Sequence, residues 1–281
     1  MFYINRYRLA LGPEDIFPAA INDVTKATVW ALRHLDGLNI DPQRVVLMGE
    51  SVGGNLAAAL SQRLTFDLIY KDLPTLRAVI LLNPCLQMID FRTPSYQKNG
   101  RYSTLLIDTY EMAQVWNNYL SGDKRLVPRM LTNEHISADV KLSPISKLVS
   151  HELLPEEFRT SENILVSSGA ADSIVDHNYA EIADTMLNPD FAPLIRPLLT
   201  GLPETYIATA EFDVLRDDGI FYAKRLEADG VKTTWKHYSK GLHAGFSISL
   251  DDPGALSPWP GKYKTGNEAG DVFHFVGKIF E

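Results

Sequence analysis

A serine, an aspartate and a histidine, far apart in the chain, each sit in a local sequence suited to one part of acyl transfer. Ser51 lies in Gly49-Glu50-Ser51-Val52-Gly53, between the apolar run Val45-Val46-Leu47-Met48 and the small-residue stretch Leu56-Ala57-Ala58-Ala59-Leu60. A buried-type strand turning sharply into a helix is the context in which a G-x-S-x-G pattern presents a nucleophile. Glycines two places before and two after let the backbone fold tightly. The serine is then expected in a strained conformation, Oγ exposed, with the positive end of the next helix aimed at it. The other reading of the same residues is a glycine-rich turn with an idle serine.

A serine hydroxyl is a weak nucleophile and needs a neighbouring base, itself oriented by an acid. Seven histidines compete for the base role. His34 lies in a helix upstream of the serine, and His135, His151 and His177 belong to the long middle of the chain. His237 falls inside a strand and His274 in the last helix. His243, in Gly241-Leu242-His243-Ala244-Gly245-Phe246, occupies a glycine-flanked loop just after a strand, where a base reaches the strand ends. The acid should lie between serine and histidine in chain order and leave another strand. Asp213 does so, directly after Thr205–Ala210, whereas Asp217 and Asp218 read as caps of the next helix's first turn. Asp172 and Asp176 lie in the middle region and do not fit the order of elements.

The elements around these residues alternate. Phe2–Arg8 reads as a short strand, and Pro18 to Leu35 as a helix with Ala20, Val24, Ala27, Ala31 and Leu35 at helical spacing. Arg44–Met48 is a strand, a helix follows Ser51 to about Arg63, and Ala78–Leu82 is a strand stopped by Asn83-Pro84. Continuous apolar strands between helices predict an α/β fold with a mostly parallel sheet covered on both faces. From about residue 86 to 200 the alternation stops and prolines cut the chain into short pieces. Met112, Val115, Trp116 and Tyr119 mark one amphipathic helix there. The rhythm returns with the strand Thr205–Ala210, a helix from Leu215 to Asp229, the strand Thr233–Tyr238 and a last helix with Val272, Val276 and Ile279 on one side. Residues 1–85 and 201–281 are therefore expected to form the core. Residues 86–200 are expected to form a helical lid at the strands' C-terminal edge, the alternative being a structural excursion remote from any site.

Composition excludes several classes. At 281 residues, 45% hydrophobic and 22% charged, the chain has ordinary globular composition. A net charge of −8 and the lack of a Lys/Arg cluster argue against nucleic acid. Cys85 is the one cysteine, so no internal disulfide or cysteine metal site is expected. It follows an apolar run and reads as a buried thiol. No H-E-x-x-H or similar metal spacing is present, and no cofactor is expected. No stretch nears the ~18 apolar residues of a membrane span, and Asn5-Arg6 interrupts any signal-like start. Oligomeric state is not legible.

Gly-Glu-Ser-Val-Gly-Gly-Asn, Asp-Val-Leu-Arg-Asp-Asp-Gly and the His243 loop together resemble the hormone-sensitive-lipase group of α/β hydrolases. Within it, Tyr7-Arg8-Leu9-Ala10, Phe17-Pro18-Ala19-Ala20, Pro94-Ser95-Tyr96-Gln97, Leu153-Leu154-Pro155-Glu156 and Gly201-Leu202-Pro203-Glu204-Thr205-Tyr206 are similar to the arylacetamide-deacetylase-like branch. The resemblance covers nearly the whole chain. It implies a carboxylic ester or amide hydrolase for small lipophilic substrates, with Ser51 as nucleophile, Asp213 as orienting acid and His243 as general base. It also implies work at the endoplasmic reticulum membrane through an N-terminal anchor. A chain without signal or anchor fits the cytoplasm equally. Leu105, Leu106, Met112, Trp116 and Tyr119 favour acyl or aryl groups, or simply pack.

The chain departs from the resemblance in two places. Ala244 follows the histidine where the family often has glycine, with Gly245 one place later. The family's His-Gly-Gly loop, which supplies most of its oxyanion hole, has no counterpart, and no His-Gly dipeptide occurs in the sequence. The Val52 N–H is the one such donor that the resemblance leaves. The family's first strands are likewise expected to be missing, as in a truncated product. Two readings follow: a serine hydrolase, or a catalytically silent form that at most binds hydrophobic ligands or a partner. A receptor-like member of the fold that has lost its base is disfavoured by the presence of His243.

Overall fold

The computed structural model describes residues 5–101, 107–159, 179–245 and 268–281. Its centre is a parallel sheet of four strands, β1 (Val46–Glu50), β2 (Ala78–Leu82), β3 (Glu204–Phe212) and β4 (Thr233–Leu242), lying side by side in chain order. Nine helices accompany them among the described residues: α1 (Ala19–Arg33), α2 (Val52–Phe66), α3 (Pro94–Asn99), α4 (Thr109–Leu120), α5 (Leu126–Leu131), α6 (Ala138–Leu142), α7 (Tyr179–Met186), α8 (Arg216–Ala228) and α9 (Glu268–Ile279). Short 3₁₀ turns link several of them. None is long and apolar enough to cross a membrane.

Side-chain alternation along β2 explains the layers. Ala78, Ile80 and Leu82 face one way and meet Val272, Phe275 and Ile279 of α9, together with Tyr206, Ala208 and Tyr238 of the neighbouring strands. Val79 and Leu81 face the other way, towards Ala57 and Ala58 of α2 and Ile220 and Phe221 of α8. All five β2 residues are buried, as a strand covered on both faces requires. Each fully buried Leu, Ile or Phe contributes about 1.5–3 kcal/mol, so this two-sided burial anchors the scaffold. α1 packs on the outer side of α2 through Ile21, Val24, Leu56 and Leu60.

The register aligns the strands' C-terminal ends. Glu50 lies beside Leu82, Leu82 beside Ala208 and Ala208 beside Lys236. Whatever follows each strand therefore emerges along one edge, as in other open α/β sheets. An irregularity between Ala210 and Phe212 brings Leu242 beside Phe212, so β4 delivers the chain next to the exit of β3.

Between β2 and β3 the described residues hold α3 to α7 and no strand. α4 starts with a reciprocal cap, in which Asp108 accepts from the Glu111 backbone at 2.8 Å and Glu111 accepts from the Asp108 backbone at 2.9 Å. This is the capping box that the Asp-x-x-Glu spacing encodes. Met112 and Trp116 are buried on its inner face.

One expectation needs correction here. Of the strand expected at Phe2–Arg8, residues 5 to 8 are irregular and residues 1–4 lie outside the described residues. Arg8 is tied to α1 instead: its backbone N–H and its Nε both donate to Asp23, at 3.1 and 2.9 Å. β1 pairs with β2 alone among the described strands. Leu105, Leu106, Asp172, Asp176 and His177 lie outside the described residues.

Candidate active site

β1 ends at Glu50 and α2 begins at Val52, which leaves Ser51 alone at the corner. Its φ of 57° and ψ of −121° lie in a region that an L-residue occupies only under strain. Backbone bonds hold it there: Ser51 N–H donates to Leu82 C=O at 2.9 Å, and Asn55 N–H donates to Ser51 C=O at 3.1 Å. A Cβ on Gly49 would lie 2.0 Å from the Gly53 carbonyl oxygen, so the first glycine of the motif is obligatory. A Cβ on Gly53 would meet nothing within 4 Å, whereas one on Gly54 would sit 2.8 Å from Pro84 Cβ. The close approach after the serine therefore belongs to Gly54, not Gly53. Asn55 adds a tie that sequence reading missed, donating its amide to the carbonyls of Cys85 and Phe191, each at 3.0 Å.

The structure brings Ser51, His243 and Asp213 together. His243 Nε2 is 2.9 Å from Ser51 Oγ, and its Nδ1 is 3.0 Å from Asp213 Oδ2. An ionised carboxylate only accepts, so Nδ1 carries the proton and Nε2 is left with a lone pair facing the serine hydroxyl. That is the tautomer a general base requires. Asp213 is 1% exposed, and its other oxygen accepts the Leu215 N–H at 2.9 Å. Burial pushes the His243 pKa down, but the charge and hydrogen bond of Asp213, with a smaller push from Glu50, raise it above the ordinary histidine value. The imidazole thus sits against a buried carboxyl group that favours its charged form.

Neighbouring carboxylates serve other ends. Asp217 and Asp218 do lie in the first turn of α8, but neither caps it, since Leu215 holds the cap position without a side-chain bond. Asp217 instead accepts from the Ser95 backbone at 2.7 Å. Asp218 accepts from the Leu86 backbone at 2.9 Å and from Gln87 at 3.0 Å. Both thereby anchor the chain that leaves β2. Burial raises the Asp218 pKa to about 7.

The remaining described histidines point elsewhere. His135 bonds the Met88 carbonyl at 2.8 Å, His151 faces Asp90 at 3.4 Å and His237 faces Glu211 at 3.2 Å. His34 bonds the Trp30 carbonyl at 2.7 Å at the end of α1, and His274 lies exposed on α9. Cys85 is buried, and burial raises its thiol pKa far above the usual range.

Val52 opens α2, so its N–H belongs to the first-turn donors that no carbonyl four residues earlier can satisfy. It also lines a cavity of about 260 Å³ with Leu56, Cys85, Val115, Trp116 and Tyr119. Met112, expected among the apolar groups of the lid, is buried in the core and does not line it. No group of side chains among the described residues is arranged to hold a metal ion.

Comparison with known proteins adds independent findings. Residues 1–146 and 129–247 match the profile of the α/β hydrolase fold. The chain is 40% identical over 243 residues to neutral cholesterol ester hydrolase 1 of Pongo abelii, covering 84% of this chain and 57% of that protein. It is 36% identical over 246 residues to arylacetamide deacetylase of Oryctolagus cuniculus, covering 86% of this chain and 59% of the relative. The chain thus spans less than two thirds of the length of these curated relatives. Among solved structures, esterase LipW from Mycobacterium marinum aligns over 98% of this chain and 61% of its own, with a TM-score of 0.60 and 23% identity. That likeness is one of fold.

Proposed function

The chain belongs to the α/β hydrolase fold family, and from this premise we propose that it is a serine hydrolase cleaving carboxylic esters or amides of lipophilic substrates. The observation that carries the reading is the continuous line Ser51 Oγ, His243 and Asp213, with contacts of 2.9 and 3.0 Å. His243 Nε2 takes the hydroxyl proton as Oγ adds to the carbonyl carbon. The tetrahedral oxyanion forms beside the Val52 N–H and the positive end of α2. His243 then returns the proton to the leaving alcohol or amine. Water, activated by the same base, releases the carboxylic acid from the acyl-enzyme. Asp213 holds the ring and stabilises its cation throughout.

The cavity beside Val52 supports an apolar substrate group. Its volume of about 260 Å³ exceeds the ~150 Å³ in which an apolar cavity takes up benzene. One aryl ring or a short acyl chain fits that space. We read α4 as part of a lid over this cavity, since its Val115, Trp116 and Tyr119 supply one wall. For a full-length form, family resemblance supports action at the endoplasmic reticulum membrane.

The test is covalent labelling by a fluorophosphonate together with turnover of a p-nitrophenyl ester. Both should be present in the parent chain and absent in Ser51→Ala; folded parent that neither labels nor turns over rejects the reading. A second reading is a form that binds apolar ligands in the cavity beside Val52 without turnover. Labelling without multiple turnover would support it.

A further inference from the structure

Glu268, the first residue of α9, is a buried carboxyl that the proposed reaction does not use. It is 1% exposed, and neither oxygen has a hydrogen-bond partner among the described residues. An ionised carboxylate so placed is costly, which favours the neutral form. Burial first, then the charges of Glu50, Asp213 and Asp271, push its pKa up to about 8. Its position is specific. A Cβ on Gly245 would lie 2.4 Å from Glu268 Oε1, and one on Gly241 would lie 3.2 Å from the same oxygen. The carboxyl therefore rests against both glycines that flank His243.

The turn it supports is strained. Ala244, directly after His243, has a φ of 59°, in the left-handed region that favours glycine. A backbone in such a conformation keeps it only when its surroundings over-determine it. Gly241 is closed in from the other side by Tyr238 Cβ and Ala210 Cβ, at 2.9 and 3.0 Å from a Cβ built there. Glu268 supplies the remaining wall, and only a residue without a side chain at 245 lets it come so near.

We propose that Glu268 is a positioning residue for His243: its neutral carboxyl fills the space against the Gly241–Gly245 turn and holds the imidazole between Ser51 and Asp213, and its ionisation weakens that support. The charged and titratable groups facing it are consistent with this. Glu50 comes from the end of β1, Asp213 from the exit of β3 and Asp271 from its own helix. Tyr206 of β3 also senses its charge. Tyr238 and Lys236 of β4 are directed at Asp271, at 2.9 and 3.7 Å. The charged neighbours that act on Glu268 are thus acidic, so a negative charge on it meets repulsion.

The proposal rests on the hydrolase reading for its kinetic consequences, but the experiment separates the two. Glu268→Gln, which keeps the shape and cannot ionise, and Glu268→Ala, which empties the space, are compared with the parent chain. One readout is the rate of Ser51 labelling by a fluorophosphonate between pH 5 and 10. The other is the NMR titration of the His243 ring. The parent is expected to lose labelling rate above about pH 8, with a second inflection in the His243 titration there. Both features should vanish in the Gln variant, while the Ala variant labels about tenfold or more slowly at every pH. A Gln variant whose His243 titration superimposes on the parent's overturns the proposal, whether or not Ala folds. If the parent fails to label at any pH, the hydrolase reading falls and the His243 titration still decides the role of Glu268.

Discussion

Asn99 grips Asp213 by its main chain: the Asn99 side-chain amide donates to the Asp213 carbonyl at 2.9 Å and to the Glu211 carbonyl at the same distance. A residue of α3 thus fixes the backbone on both sides of the turn that presents the acid to His243. Asn99→Ala leaves two carbonyls without these donors, one of them buried, which costs about 1–3 kcal/mol per unsatisfied group. Urea unfolding should register that loss. Ser51 labelling should slow without being abolished, because the Asp213 carboxylate keeps its own bond to His243.

The pH dependence of turnover should reflect His243. A protonated imidazole cannot accept from Ser51, so kcat/KM is expected to rise with pH through a midpoint above the ordinary histidine value of about 6.5. Asp213→Asn should lower that midpoint and reduce kcat by about 10⁴-fold. Stability runs the opposite way. A histidine whose folded pKa is raised contributes stability fully present below its unfolded pKa and lost as pH rises through the folded one. Denaturation midpoints measured across that window test the sign.

Gly49 and Gly53 should respond differently to the same substitution. Gly49→Ala drives a Cβ to 2.0 Å from the Gly53 carbonyl oxygen, and the overlap should cost about 1–3 kcal/mol or more, the usual scale of overpacking. Gly53→Ala finds open space within α2 and should gain about 0.5–1 kcal/mol of helix stability. Thermal melts of the two variants distinguish them directly.

The alanine after the base offers a complementary gain. Ala244→Gly relieves a left-handed residue and should stabilise the chain by up to about 1 kcal/mol, the lower end of the cost of that conformation. A melt unchanged or lowered would argue against strain at this position.

Cavity size should govern chain-length preference. Val115 is half-buried and lines the cavity beside Val52, so Val115→Trp narrows it with little loss of core. Hydrolysis of a p-nitrophenyl hexanoate relative to the acetate should then fall by about tenfold or more, the usual effect of a pocket too small by a few methylenes. Unchanged ratios would remove this cavity from the substrate's path.

Much of the scaffold is legible in local sequence. β2 is read at its observed bounds because Ala78–Leu82 is uniformly apolar and closed by Asn83-Pro84. β3 and β4 extend beyond their expected ends, to Phe212 and Leu242, because strand pairing continues through residues without a clear apolar pattern. The nearness of Ser51, Asp213 and His243 follows from chain order and strand ends. Asn55, Asn99 and Glu268 are not legible, since each acts through contacts with distant backbone that no local spacing announces. The irregular path through Arg8 has the same origin: its salt bridge to Asp23 is a tertiary contact.

The parallel sheet also sets an order of events. Each of its strand pairs joins segments separated by a crossover, and such non-local pairing is slow to form. Ser51 belongs to the first strand's exit, Asp213 to the third and His243 to the fourth. Ser51 and His243 therefore meet only when all four strands are paired. On dilution from urea, labelling competence at Ser51 should lag the recovery of helical signal, which would make that serine a clock for closure of the long β2–β3 crossover.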